Sequence, residues 1–424
     1  MKLLYHNKIT QQDCWLAAED HFPVEKSCLQ QVREVSELSF ERFVATPDLH
    51  TGPGIPNGFV LDSKEIYPHL IGGDIGCGMR LIVLENVERE EVERVLPILE
   101  QQLLRLFFGG ERGLVLSAQD RQNLMLQGVA AVGQSVSPSN PYFDRLDWDN
   151  QVDCSYFLAE TDSLPSSIMG YAQRSGPDPH LGSLGGGNHF CEFVELNELV
   201  DRRAAHSYGA RPKQVGILVH SGSLALGKAV AHEVSANPIK LQTAATNFAW
   251  YNRFSLAHMA LLALEASLGK KIESHLVYDS PHNFIEEVDG IFRHRKGATP
   301  SPGASSAHPW GTPVLVPGSM GSYSYLLASL ENEETLLSAP HGAGRSQSRN
   351  KMRHSNTAVD DSRVVNPMKP FAATNGFLKR EYEKRLAEEA SGAYKPIETV
   401  VEQVEKFNTA KKVARLSPIL TVKG

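Results

Sequence analysis

The stretch Ser338-Ala-Pro-His341-Gly-Ala-Gly-Arg345-Ser-Gln-Ser-Arg349 constrains this chain more than any other. It closes a short β-type run on a histidine and follows that histidine with glycine, small residues and two arginines. Bare backbone N–H groups and guanidinium forks are what an anionic phosphate needs. A histidine at their centre can attack that phosphate. Four further segments set His or Cys in the same way, in a loop or turn at a strand edge. They are Asp74-Ile-Gly-Cys77-Gly-Met, Gly185-Gly-Gly-Asn188-His189-Phe-Cys-Glu192, His220-Ser-Gly-Ser and Ser280-Pro-His282-Asn283.

Asp74 and Cys77 can close around one metal ion, the thiolate suiting a borderline-soft divalent cation and the carboxylate a harder one. The plainer alternative is a tight turn around a buried thiol. Gly185 to Gly187 leave the backbone open to close approach, and Asn188, His189 and Glu192 supply polar groups where a strand starts. A glycine-rich hairpin with a surface histidine is the alternative there. Taken together, Asp74, Cys77, His189, His220 and His282 can hold two metal ions with the thiolate bridging, an arrangement suited to phosphoryl chemistry. Gly222 to Ala229 has the spacing of a P-loop, but Ala229 lacks the hydroxyl that would hold Mg²⁺, so it reads as a decoy. Arg293-His-Arg295-Lys296-Gly-Ala-Thr and Pro317-Gly-Ser319-Met-Gly-Ser-Tyr-Ser324 read as anion-friendly loops. Arg345, Arg349, Lys351 and Arg353 add positive charge, the alternative being a solvated basic face.

The net charge of −7 over 424 residues argues against a generic nucleic-acid coat and confines any polyanion to a local basic patch. Five cysteines, an odd number with no CxxC spacing, fit a reducing cytoplasm. No apolar run is long enough to span a bilayer, and Met1 to Asn7 is no secretory signal. Apolar residues at the 3.6 period predict a helix over Arg89–Phe108. Asn237-Pro238 starts a long, buried helix that Gly269-Lys270 stops. Phe377–Ala390 and Thr399–Phe407 read as helices. Strands are predicted at 79–84, Phe190–Leu196, Val215–Val219, 276–278, 314–316 and Ile419–Val422. Ser135–Asp149 and Ser301–Trp310 read as loops. The fold class is α+β, with mixed sheets and surrounding helices in one large domain spanning residues 1–424.

These residues resemble the RtcB-type RNA ligases, the GTP-dependent RNA-splicing and repair ligases. The resemblance runs from Pro47-Asp48-Leu-His50-Thr-Gly-Pro-Gly to the closing Val422-Lys423-Gly424. Between these ends it takes in the segments above together with Asn247-Phe-Ala-Trp-Tyr-Asn252-Arg253, Arg295-Lys-Gly-Ala-Thr, Pro317-Gly-Ser-Met-Gly and Gly392-Ala-Tyr-Lys395. It implies that Asp74, Cys77 and His189 bind one Mn²⁺, that Cys77, His220 and His282 bind a second, and that His341 is the nucleophile taking GMP from GTP. Asp48 matches an acid that assists proton transfer. Guanylate contacts are implied at Asn188, His189, Phe190, Cys191, Glu192, His282, Asn283, Pro317, Gly318, Ser319, Met320, Ser324, His341, Gly342, Ala343, Gly344 and Lys423. Positive charge beside these loops, rather than the resemblance, marks Lys296, Arg345 and Arg349 as RNA or phosphate contacts.

The implied reaction joins an RNA 3′-phosphate or 2′,3′-cyclic phosphate end to a 5′-hydroxyl end through a covalent histidine–GMP intermediate, in RNA repair or tRNA splicing. An archease-like activating protein is an implied partner. The chain departs from the family pattern at Leu224-Ala225-Leu226-Gly227, where an Arg and then Gly-Leu-Gly are usual. Gly52-Pro53-Gly54, Pro281 and the Ser301–Trp310 loop also differ, so a divergent repair paralogue is expected. Two competing readings are a metal-dependent phosphoesterase acting on RNA ends and a non-catalytic RNA-end binder.

Overall fold

A computed structural model describes residues 1–112, 116–132, 164–172, 180–233, 238–355 and 357–424. The predicted loop at 135–149, Asn237 and Cys154 lie outside the described residues. Sixteen strands, numbered along the chain, occur among the described residues.

The larger sheet is built on seven strands in the order β12 (Pro313–Val316), β13 (Ser324–Ser329), β16 (Ala410–Val422), β6 (Phe190–Leu199), β7 (Val215–Ser221), β5 (Gly78–Leu84) and β8 (Ser274–Pro281), with β15 (Val364–Val365) pairing off β16. The second sheet runs β1 (Lys2–Asn7), β2 (Gln12–Leu16), β3 (Arg42–His50), β4 (Asn57–Ser63), β10 (Ile291–Lys296) and β9 (Asn283–Val288). A short pair, β11 (Ala298–Pro300) and β14 (Ser338–Pro340), completes the strands. Pairing is antiparallel except for β2 with β3 and β15 with β16. This is the α+β class with mixed sheets that the sequence predicts.

Period-two alternation sends Met79, Leu81 and Val83 to one face of β5 and Ile82 and Leu84 to the other. The second face carries the helix Pro238–Leu268, which is apolar around most of its circumference and correspondingly buried. Its predicted C-terminal end holds, and Gly269 stops it in the left-handed region at φ +67°. No helix among the described residues is long and apolar enough to cross a membrane.

Three expectations need correction. The helix predicted over Arg89–Phe108 is two helices, Arg89–Arg94 and Leu96–Phe108, broken at Val95 with ψ 8°. Pro97 has no N–H to continue the first helix, yet fits the opening turn of a second. The closing strand begins at Ala410, nine residues before the predicted Ile419, because it spans the sheet between β13 and β6. Arg293 and Arg295 are in strand β10 rather than in a loop. Arg293 pairs with Asp62 at 2.8 Å and Arg295 with Glu286, so neither guanidinium is offered to an anion.

Candidate active site

Strand direction assembles the site. Strand β5 is antiparallel to both β7 and β8, and β7 is antiparallel to β6. The start of β5, the end of β7, the start of β6 and the end of β8 therefore lie at one edge. Cys77, His220, His189 and His282 occupy or directly adjoin those four ends, with Met79 opposite His220 and Phe190 opposite His220. Neighbouring strands run roughly 5 Å apart, which brings side chains at that edge within reach of one ion.

Cys77 Sγ lies 3.3 Å from Nε2 of His189 and 3.2 Å from Nε2 of His220. These three ligand atoms are all within 4.8 Å of one another. Asp74 Oδ2 is 2.9 Å from His189 Nε2. His189 Nδ1 donates to the Leu184 carbonyl at 2.8 Å, and His220 Nδ1 to the Asn188 carbonyl at 3.1 Å. A carbonyl can only accept, so both Nε2 atoms are turned to the sulfur as the ligating nitrogens. The His282 ring follows at 5.2 Å from His220, and its Nδ1 is buried without a hydrogen-bond partner.

The electrostatics suit a cation. Burial, and then Asp74, push the Cys77 thiol well above its ordinary range, so a thiolate here calls for a positive partner. Burial also pushes His220 and His282 far below the usual histidine value, leaving the neutral imidazole that ligates. Burial alone would raise Asp74, but His189 beside it outweighs that and keeps it ionised. The orphaned His282 nitrogen and this Cys/His/Asp donor set suit a borderline-soft divalent cation.

One buried cation braces the site from behind. Arg253, on the long helix, donates from Nη1 to the Gly76 carbonyl at 2.7 Å and the Ser221 carbonyl at 3.3 Å. It thereby ties the turn that carries Cys77 to the end of β7 that carries His220. Asp279 on β8 balances its charge, accepting from Arg253 Nε at 3.0 Å, and also accepts from Arg80 Nη1 at 3.0 Å. Removing one partner of a buried pair strands the other, so Arg253→Met should cost about 3–5 kcal/mol of unfolding free energy. Chemical denaturation measures this, and a loss under 1 kcal/mol would contradict the bracing role.

His341 directly follows β14. Its ring centroid is 4.7 Å from that of His282, and Nδ1 lies 2.6 Å from Asp48 Oδ2. The same carboxylate accepts the His341 backbone N–H at 3.1 Å, while Oδ1 accepts the Thr46 hydroxyl at 2.5 Å. Burial would raise the Asp48 carboxyl, but His341 and Thr46 hold it below the ordinary range, so it is a carboxylate. Gly344 makes this approach possible. Its φ is +71°, and a Cβ there would come 2.2 Å from the Asp48 carbonyl oxygen.

A cavity of about 470 Å³ opens over these groups. It gathers Asp74, Cys77, Asn188, Phe190, Glu192, His220, His282, Asn283, Lys296, Pro317 to Met320, His341 to Arg345, Arg349 and Lys423. Four residues singled out from the sequence stand off its wall. Asp48 and His189 lie behind their partners. Ser324 accepts the Gly318 N–H at 3.2 Å and so shapes the loop. Cys191 is fully buried in the hydrophobic core, because strand alternation turns Phe190 and Glu192 to the cavity and Cys191 away from it. Arg345 lines the cavity, but its guanidinium donates to the Glu388 carbonyl at 2.7 Å and the Tyr394 hydroxyl at 3.1 Å and faces Glu389 at 3.5 Å. Its charge is therefore already balanced within the protein. The loop at Gly222 is spent too, with the Leu224 N–H donating to Asp74 Oδ1 at 3.3 Å.

Several residues were not singled out. Glu389 and Tyr394 line the cavity, and His50 lines it two residues beyond Asp48. Lys395 is buried, donating to the carbonyls of Pro47 at 2.9 Å and Leu49 at 2.7 Å, so it clamps the backbone on either side of Asp48. His50 and Lys395 both belong to motifs legible in the sequence, and that was their only signal.

Glu192 accepts the Thr421 hydroxyl at 2.5 Å, and burial pushes its carboxyl up to about 7, against the pull of Thr421 and Lys423. Because the folded value exceeds the unfolded one, the stability it contributes is complete below pH 4.5 and is lost as pH rises through about 7. From pH 4.5 to pH 8 the protein should lose about 3 kcal/mol relative to Glu192→Gln. Urea unfolding at the two pH values tests this, and a pH-independent difference would refute it.

The family model described as tRNA-splicing ligase RtcB matches residues 31–242 and 237–424. The chain is 32% identical to the tRNA-splicing ligase RtcB of Thermococcus kodakarensis, covering 93% of this chain and 91% of that protein. It is 33% identical to the protein of the same name from Pyrobaculum aerophilum, covering 90% and 87%. It is 30% identical to RNA-splicing ligase RtcB homolog 1 of Entamoeba dispar, covering 94% and 82%.

Proposed function

Because this chain belongs to the RtcB family of RNA ligases, we propose that it joins an RNA 3′-phosphate or 2′,3′-cyclic phosphate end to a 5′-hydroxyl end, using GTP and a histidine–GMP intermediate. One observation carries this reading: the His341 ring stands 4.7 Å from His282, at the edge of the Cys/His cluster, with Asp48 Oδ2 2.6 Å from its Nδ1. Asp74, Cys77 and His189 would hold one Mn²⁺, and Cys77, His220 and His282 the other. Bound there, the ions supply Lewis acidity that offsets charge on crowded phosphates.

The residues do the rest. Asp48 keeps the imidazole proton on Nδ1 and leaves the Nε2 lone pair of His341 as the nucleophile. Nε2 attacks the α-phosphorus of GTP, a P–N bond forms, and the bond to pyrophosphate breaks. Glu192, Asn188, Ser319 and Lys423 hold the guanylate in the cavity. Water attacks a 2′,3′-cyclic phosphate, the bond to the 2′-oxygen breaks and a 3′-phosphate results. An oxygen of that phosphate then attacks the GMP phosphorus, the P–N bond breaks and His341 is regenerated. The 5′-hydroxyl then attacks the activated phosphorus, and GMP leaves. Splitting the reaction through a covalent adduct replaces one hard displacement with easier ones.

The test supplies cyclic-phosphate RNA and 5′-hydroxyl RNA with Mn²⁺, with and without GTP. Joined product that depends on GTP is expected. Opening of the cyclic end without GTP and without joining would replace this reading with a phosphoesterase.

A further inference from the structure

One wall of the cavity has no part in the steps above. Glu25, Ser27, His50, Thr51 and Asn57 form it, from the start of the helix Lys26–Val35 and the connection between β3 and β4. His50 is 8% exposed, and its Nδ1 is 2.7 Å from the Asp48 carbonyl. A carbonyl only accepts, so Nδ1 carries the proton and Nε2 is an acceptor. Burial, reinforced by His341, keeps this ring neutral, with its pKa down at about 3. Nε2 meets the Asn57 amide only at a long 3.5 Å, so the acceptor is scarcely used by that contact. The ring lies nearly parallel to His341, with centroids 6.1 Å apart and an interplanar angle of 15°.

Farther out, the Thr51 hydroxyl donates to Glu25 Oε2 at 3.0 Å and lies 2.7 Å from Ser27 Oγ. Ser27 and Pro53 are exposed, so this wall opens to solvent. Its charge differs from the rest of the cavity. Among the described residues Glu25 is its one charged group and faces no cation of the cavity wall, whereas the remainder sets Lys296, Arg345, Arg349 and Lys423 among Asp74, Glu192 and Glu389. A phosphate is repelled by the carboxylate, and a sugar hydroxyl finds both donors and acceptors.

We propose that this wall seats the unphosphorylated 5′-terminal nucleoside of the incoming RNA strand, with His50 Nε2 accepting the hydrogen bond of its hydroxyl beside His341. The assignment rests on the ligase reading of the site and adds to it the seat of the second substrate. His50 orients the hydroxyl, and Glu25 disfavours a phosphate in its place.

The test uses full-length protein, GTP, Mn²⁺ and a 3′-phosphate RNA, with a 5′-hydroxyl RNA titrated in. Guanylylated 3′ ends and joined product are both measured. His50→Ala should raise the half-saturating concentration of the 5′-hydroxyl strand by about tenfold, the worth of one hydrogen bond, and guanylylated ends should accumulate over joined product. Thr51 and Glu25 are partly exposed, so their variants report even where His50→Ala disturbs Asp48. Thr51→Val should raise the same concentration about threefold. Glu25→Gln should weaken discrimination against a 5′-phosphate strand used as competitor. Unchanged half-saturation in His50→Ala and Thr51→Val, or unchanged discrimination in Glu25→Gln, overturns the proposal. Absence of any histidine adduct in the unaltered protein would instead sink the ligase reading beneath it.

Discussion

His341→Ala loses strand joining by on the order of 10³-fold or more, since no other group can replace a covalent nucleophile. The same variant keeps its metal. His341 is no part of the Cys77, His189 and His220 set whose ligand atoms lie within 4.8 Å of one another. Radiolabelled GTP reads the first effect and Mn²⁺ titration the second. A variant that still took up label would move the nucleophile elsewhere. One that lost metal as well as label would make His341 a ligand.

Cys77→Ala produces the second large effect, in the opposite pattern. The sulfur lies 3.3 Å from Nε2 of His189 and 3.2 Å from Nε2 of His220, between the two rings. Loss of even a supporting group around a metal typically costs about 10–100-fold in affinity, so loss of the shared thiolate should exceed roughly 100-fold. Adduct formation falls with it, although His341 and Asp48 remain. In chelator, where no metal is held, the variant should lose only the packing of a small buried group, on the order of 1 kcal/mol. Equilibrium Mn²⁺ binding and thermal unfolding with and without chelator check both claims. Unchanged affinity would remove Cys77 from the centre.

Much of this site can be read from the sequence because its chemistry sits at strand ends. A histidine or cysteine at either end of an apolar run, set beside glycine or turn residues, declares both its position and its exposure of backbone. That is why Cys77, His189, His220, His282 and His341 are all legible. Convergence of these ends is a matter of strand order, which no local pattern encodes. It follows from the antiparallel neighbours β6, β7, β5 and β8, brought together from distant parts of the chain. Charge was the least legible property. Arg293, Arg295 and Arg345 look available in sequence, yet Asp62 and Glu389 neutralise two of them from distant segments and Glu286 the third from the adjoining hairpin strand. Cys191 was misplaced for a smaller reason: its neighbours in the motif face the cavity, and strand alternation turns it to the core. Arg253 gave no signal of its bracing role, because a long apolar helix does not reveal which of its rare charges points at a carbonyl.

The most direct measurement incubates the protein with α-labelled GTP and Mn²⁺, then maps the labelled peptide. The account predicts one acid-labile phosphoramidate, on the peptide containing His341, whose formation requires the metal. Label on any other residue, or none at all from a folded protein that binds Mn²⁺, would contradict it.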